Sequence, residues 1–332
     1  MARALITDLG GLALDDDEER SFVRDCDPLG IILFSRNIQK PDQVSKLTQE
    51  FRSLVGRDNA PVMIDQEGGR VARLREPHWW PGVPAEKLGV AGDRASYLAG
   101  HLLADDMAAM GIDVVCAPCL DLRVAGMHDV IGDRAFGYDP QIVASTARSY
   151  CVGLAAGGVQ PMIKHMPGHG RVAADPHDVL PSTDVPLDLL RGEDFKPFQA
   201  LRDIPWGMTA HVVYKAIDAD WPATQSAAVI GDVIRGELGF DGVLTSDAID
   251  MNALSGSHEE RARLSLGAGC DVVMHCNQPL VTRRAVAEAV PELAGDALRR
   301  VSAAAANRSA RDNSFDRAAA MFELQDLLDM SA

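Results

Sequence analysis

The sequence is short of cysteine and of long apolar runs. Six cysteines among 332 residues are too few for a disulfide-stabilised scaffold. No segment reaches the roughly 18 uninterrupted apolar residues that a membrane span requires. Near the N-terminus Asp8 interrupts the apolar run and acids occupy 15–19, which leaves no room for the apolar core of about 7–15 residues in a secretory signal. We therefore expect a cytoplasmic protein with no membrane partner.

Positive charge is also scarce. Lys and Arg number 32 against 48 Asp and Glu, which gives a net charge of −16. Nucleic-acid binding depends on Lys and Arg that neutralise phosphates, and an anionic membrane surface repels an acidic chain. The composition therefore argues against nucleic acid as a partner, and again against a membrane.

Two of the few cysteines, Cys116 and Cys119, form a C-x-x-C in the apolar run DVVCAPCLDL. Such a pair can belong to a redox centre or to half of a zinc site. The run has the composition of a strand, however, and residues three apart on a strand point to opposite faces. We therefore interpret both side chains as buried structural thiols.

Short apolar segments alternate with longer segments of helical apolar spacing along most of the chain. Eight strands are predicted, at 4–8, 30–34, 61–65, 113–118, 160–165, 207–213, 242–246 and 271–275. Helices are predicted at 42–55, 93–110, 140–156, 188–201, 226–238 and 259–267, whereas the first connection, 15–26, is short and weakly periodic.

This alternation indicates an α/β protein with a parallel sheet. Eight βα units over about 275 residues suit a single (β/α)8 TIM-type barrel, and a doubly wound open sheet is the alternative. No Gly-, Pro- or Ser-rich linker divides the sequence. We therefore predict one catalytic domain over 1–332, with the barrel at about 1–280 and a short helical C-terminal tail at about 281–332.

Polar residues follow the predicted strands, where catalytic groups of a (β/α)8 barrel lie. These residues are acids and cations with few aromatics, and they include Asp65, Arg73, Arg134, Lys164, His165 and Asp247. Such a set suits a ligand covered with hydroxyls, and no Gly-rich phosphate loop is present. Asp247, which follows GVLTS, remains open to three interpretations: a nucleophile, a metal ligand or a helix cap.

The segment KHMPGHGRVAADPHDVLPSTD, at 164–184, is the densest in reactive side chains. His165, His169 and His177 could supply zinc ligands, but their spacing matches no common zinc pattern. In the Asp175–Pro176–His177 triplet, a carboxylate two residues from an imidazole can hold one ring nitrogen and leave the other to transfer a proton. We expect no metal and favour acid/base chemistry here.

Four stretches carry a family resemblance: IDQEGGRVAR, GDRAF, KHMPGHGRVAADPHDVLP and GVLTSDAIDM. In this order and spacing they resemble glycoside hydrolase family 3, and within it the single-domain bacterial β-N-acetylglucosaminidases, from the first strand to about residue 280. The resemblance implies that Asp247 is the nucleophile, that His177 is the acid/base and that Asp175 orients His177. It also places the side chains of five residues on one N-acetylglucosamine unit: Asp65, Arg73, Arg134, Lys164 and His165.

The resemblance further implies a retaining exo-β-N-acetylglucosaminidase without a cofactor. Its expected substrate is the disaccharide of a cell-wall recycling muropeptide, GlcNAc-β-1,4-anhydroMurNAc, and we expect a monomer. Two positions differ from the commoner family pattern, Ala248 in place of Asp and Pro176 in place of Ser. Three alternatives remain: a β-glycoside phosphorylase on the same scaffold, a non-catalytic sugar-binding barrel and a metal-dependent barrel hydrolase.

Overall fold

The computed structural model describes residues 1–172, 176 and 179–331. Its centre is a closed barrel of eight parallel strands. The strands are β1 Arg3–Thr7, β2 Pro28–Leu33, β3 Val62–Ile64, β4 Val114–Val115, β5 Gln160–Met166, β6 Trp206–Thr209, β7 Val243–Ala248 and β8 Val272–His275.

Each strand pairs with its neighbours in sequence, and β1 closes the ring on β8 through pairs such as Leu5 with Val273. The predicted (β/α)8 barrel is therefore confirmed, and the doubly wound alternative is wrong. Strand β4 is shorter than predicted, because the amide of Ala117 donates to the carbonyl of Val115 at 2.8 Å and not to a neighbouring strand.

Helices surround the barrel. They are α1 Asp17–Cys26, α2 Pro41–Val55, α3 Ala85–Ala91, α4 Asp93–Ala109, α5 Pro140–Ala156, α6 Leu187–Gly192, α7 Phe195–Ala200, α8 His258–Ala268, α9 Leu280–Ala289, α10 Gly295–Ala306 and α11 Arg317–Met330. A π-helical segment, Val229–Glu237, replaces the helix predicted at 226–238. The helix predicted at 188–201 is divided into α6 and α7.

Helix α1 occupies the connection that looks weakly periodic in the sequence. Asp16 caps it by accepting a hydrogen bond from the Glu18 amide at 2.9 Å, and three acids lie in its first turn, where the helix dipole favours them. Its residues Glu19, Phe22, Val23 and Cys26 are buried and form one face of the helix. Helix α1 therefore has both a capped N-terminus and one buried face.

The last barrel helix is α9. Its buried Arg283 donates to Glu19 of α1 at 2.9 Å and to the backbone carbonyl of Asp8 at 2.7 Å, which ties α9 to both ends of the first βα unit. Helix α10 lies under the barrel floor, where Gln160 donates to the carbonyl of Ala304 at 2.7 Å. The predicted division near residue 280 into barrel and tail stays a prediction.

The barrel interior and the space between sheet and helices form one apolar core. All six cysteines are free and buried, as predicted for Cys116 and Cys119. Among the residues that the structure describes, every helix is too short or too polar to cross a membrane.

Candidate active site

A cavity of about 240 Å³ opens at the carboxyl ends of the barrel strands. Its size is below the range of about 300–1,000 Å³ typical of drug-sized ligands, so it suits a single sugar unit better than a chain. Six of the eight predicted site residues line it: Asp65, Arg73, Arg134, Lys164, His165 and Asp247. The prediction that polar groups converge at this end of the barrel is confirmed.

Asp65 stands between two cations in the cavity wall. It follows β3, and its two carboxylate oxygens lie 3.3 Å from Lys164 Nζ and 3.2 Å from Arg73 Nη2. Lys164 comes from β5, so the contact joins strands that are two places apart in the barrel. A carboxylate flanked by fixed donors presents both hydrogen-bond acceptors and donors to a hydroxyl group.

Glu67 continues this chain of charges, although the sequence analysis does not assign it a role. Its carboxylate accepts from Lys164 Nζ at 2.6 Å and, through both oxygens, from Arg134 at 2.8 and 2.9 Å. Burial alone would raise the pKa of Glu67, but the charges of Arg134 and Lys164 outweigh it and hold the pKa well below its usual value. Glu67 is therefore an anion that fixes two cavity-lining cations.

Asp121 orients the histidine of the cluster. It is fully buried after β4, and one of its oxygens lies 2.6 Å from His165 Nδ1. Burial opposes the charge of Asp121, yet the neighbouring His165 lowers its pKa well below the usual value. Because the carboxylate can only accept, His165 carries a proton on Nδ1 and directs Nε2 toward Arg134, 3.5 Å away.

The same Asp121 carboxylate organises the backbone of the reactive loop. It accepts from the amide of His169 at 2.6 Å and from the thiol of Cys119 at 3.1 Å. Cys119, Asp121 and His165 thereby bring three possible metal ligands together among the described residues. Their atoms are already hydrogen-bonded to one another, and Arg134 lies beside them, so the donor set favours orientation of His165 over a resident cation.

Asp247 lies at the end of β7 and faces the cavity. Its Oδ1 accepts from the following amide, that of Ala248, at 2.8 Å. Burial would raise its pKa, but the neighbouring imidazoles of His211 and His165 outweigh that effect and lower the pKa below its usual value. An ionised carboxylate at this position can act as a nucleophile toward a sugar bound above it.

His169 also lines the cavity and is almost completely buried. Neither ring nitrogen has a hydrogen-bond partner within the part of the chain that the structure describes. Burial lowers the pKa of His169 to about 4, so the ring is neutral near pH 7. A neutral imidazole here is a poor proton donor.

Asp175 and His177 lie outside the described residues. Pro176, the residue between them, is described: it is buried and lines the same cavity as Asp247. Its carbonyl accepts from the Ala253 amide at 3.1 Å, which ties it to the loop that follows β7.

Comparison with known proteins agrees with this geometry. The glycosyl hydrolase family 3 N-terminal domain matches residues 5–308. The chain belongs to glycosyl hydrolase family 3. The family resemblance seen in the motifs is therefore confirmed, and the chain is a glycoside hydrolase.

Relatives and a solved structure align with most of this chain. A β-hexosaminidase of Alkalilimnicola ehrlichii is 42% identical over 79% of this chain and 77% of its own length. A β-hexosaminidase of Methylococcus capsulatus is 41% identical over 83% of each chain. The crystal structure of NagZ from Neisseria gonorrhoeae in complex with N-trifluoroacetyl-D-glucosamine superposes with a TM-score of 0.84, at 32% identity, over 99% of this chain and 97% of that chain.

Proposed function

We propose that this family 3 enzyme is a retaining β-N-acetylglucosaminidase that uses Asp247 as its nucleophile. The observation that carries the proposal is an ionised carboxylate at the base of a sugar-sized cavity whose walls bear paired hydroxyl-binding groups. In retaining hydrolysis the carboxylate attacks the anomeric carbon, the aglycone leaves, and water then releases the sugar. Two inversions at that carbon preserve the β configuration.

We assign the proton transfers to His177, with Asp175 orienting its ring. The nearby position of Pro176 supports this assignment, because the residue between the two lines the cavity that contains Asp247. Histidine suits a group that first protonates the leaving oxygen and then deprotonates water, since its ordinary pKa is about 6.5. His169, whose pKa is about 4, is the weaker candidate for the first step.

The substrate class follows from the wall of the cavity and from the relatives. Asp65, Lys164, Arg73, Arg134 and His165 present donors and acceptors to hydroxyls, as a pyranose requires. The small cavity supports removal of one terminal sugar at a time. Because relatives are β-hexosaminidases, we propose N-acetylglucosamine as that sugar and a peptidoglycan-derived muropeptide as its source, in the cytoplasm.

The decisive experiment compares two chromogenic substrates. Nitrophenyl 2-acetamido-2-deoxy-β-glucoside should be hydrolysed, and nitrophenyl β-glucoside, which lacks only the acetamido group, should be a much poorer substrate. Adding inorganic phosphate should not produce a sugar 1-phosphate. Equal rates on both substrates would contradict the N-acetylglucosamine assignment, and sugar 1-phosphate would favour a phosphorylase.

A further inference from the structure

His211 lies buried behind Asp247, after the end of β6. Its Nε2 is 3.1 Å from the carbonyl oxygen of Ala248, the residue that follows Asp247. Its Nδ1 is 2.7 Å from the hydroxyl of Thr224, in a short 3-10 turn, Ala223–Gln225. The ring thus joins a buried hydroxyl to the backbone at the nucleophile.

The chemistry of these contacts places a proton on Nε2 of His211. A carbonyl oxygen can only accept, so Nε2 must carry a proton and donate it to Ala248. Burial lowers the pKa of His211, and the Thr224 hydroxyl beside Nδ1 also donates to the carbonyl of Ala210 at 3.0 Å. The Thr209 hydroxyl lies 2.8 Å from the Thr224 hydroxyl. Contacts from Thr209 through Thr224 and His211 therefore lead to the carbonyl of Ala248.

Ala248 transmits this restraint to the carboxylate. Its amide donates to Asp247 Oδ1 at 2.8 Å, while its carbonyl is held by His211. The next amide, that of Ile249, donates to the carbonyl of Met274 on β8 at 2.9 Å. With Oδ1 engaged, Oδ2 is the carboxylate oxygen that has no donor within the described residues.

We propose that His211 is a positioning residue for the nucleophile: by holding the Ala248 carbonyl it keeps Oδ1 occupied and presents Oδ2 to the anomeric carbon. The inference rests on the proposed role of Asp247. Attack depends steeply on alignment, and a displacement of about 1 Å can cost on the order of 10²-fold in rate. His211 itself does not line the cavity, so its loss should affect the attack more than sugar binding.

The test uses a 2-acetamido-2-deoxy-5-fluoro-β-glucosyl fluoride, which reacts with the nucleophile and accumulates as a covalent adduct. The rate constant for labelling and the dissociation constant of the reagent are measured separately for wild type, His211→Met and His211→Gln. Glutamine carries an amide nitrogen at the position of the imidazole Nε2, whereas methionine has no donor. Thr224→Val, which removes the partner of Nδ1 but not His211, is the second variant.

We expect His211→Met to lower the labelling rate constant by about 10- to 100-fold with an unchanged dissociation constant, and His211→Gln to restore most of the rate. Thr224→Val should show a smaller loss of the same kind, and it serves as the test if His211→Met does not fold. An unchanged labelling rate, or a loss of binding that glutamine does not repair, would overturn the inference. If wild type itself forms no adduct on Asp247, the proposed function fails instead.

Discussion

Replacing Glu67 by glutamine should destabilise the protein by about 3 kcal/mol. Glu67 is buried and accepts three hydrogen bonds from Lys164 and Arg134. Removing one partner of a buried ion pair costs about 3–5 kcal/mol, because the remaining charge is left without compensation. Glutamine has the same shape and retains one carbonyl acceptor, so we expect the lower end of that range.

Calorimetry should detect this loss of unfolding free energy as a shift in Tm. With an unfolding entropy of about 2.1 cal/mol/K per residue, a chain of 332 residues has about 0.7 kcal/mol/K, so 3 kcal/mol lowers Tm by about 4 °C. The matched control is Glu86→Gln, which breaks the partly exposed ion pair with Arg123 and should shift Tm by about 1 °C or less. Equal shifts for the two variants would refute the argument from buried charge.

Three further predictions concern catalysis and pH. Asp247→Asn should abolish turnover of the aryl glycoside with an unchanged circular dichroism spectrum, and proton NMR of wild type should detect the β anomer first; early α anomer would mean that water attacks directly. His177→Ala should lower kcat/KM far more for a disaccharide than for the nitrophenyl glycoside, because the nitrophenyl leaving group needs little protonation. Asp175→Ala should have a weaker effect of the same kind. Equal losses of kcat/KM on the two substrates would indicate a binding role for His177. The pKa values of Glu67 and Asp121 are lowered in the folded protein. The stability that these carboxylates contribute is therefore present above their usual pKa values of 4.5 and 3.8 and is lost progressively as pH falls below those values. In thermal melts between pH 6 and pH 3, Tm should fall less steeply with pH for Glu67→Gln than for wild type.

The strands of this barrel are predictable because each is a buried apolar run bounded by polar residues. The helices are less predictable, because tertiary contacts compete with the local sequence pattern. The segment predicted as one helix at 188–201 is divided near Asp194, whose buried carboxylate accepts from Arg171 of the reactive loop at 2.6 Å. Helix α1 is short and its first turn is acidic, so its buried face offers only three apolar residues, Phe22, Val23 and Cys26, to a prediction from sequence.

Some residues of the site can likewise be predicted from the sequence, and others cannot. Asp247 and Lys164 can be predicted because they lie in motifs at strand ends. Glu67 lies in one of those motifs too, but its role arises only when it meets Arg134, 67 residues away in sequence. Asp121 follows a strand end, which marks it as a candidate, yet its function is a contact with His165 on the neighbouring strand. Roles that consist of orienting another side chain become visible only once the strands are assembled.

The pairing of each cavity-lining cation with a carboxylate has a consequence for inhibitor design. Arg73, Lys164 and Arg134 already contact Asp65 or Glu67. A sulfate or phosphate group entering the cavity would compete with those carboxylates and would also meet the negative charge of Asp247, so it gains little affinity. A neutral polyol can use the remaining donors without disturbing the pairs. Compounds directed at this enzyme should therefore be uncharged along the wall that carries these ion pairs and cationic only at the atom that faces Asp247.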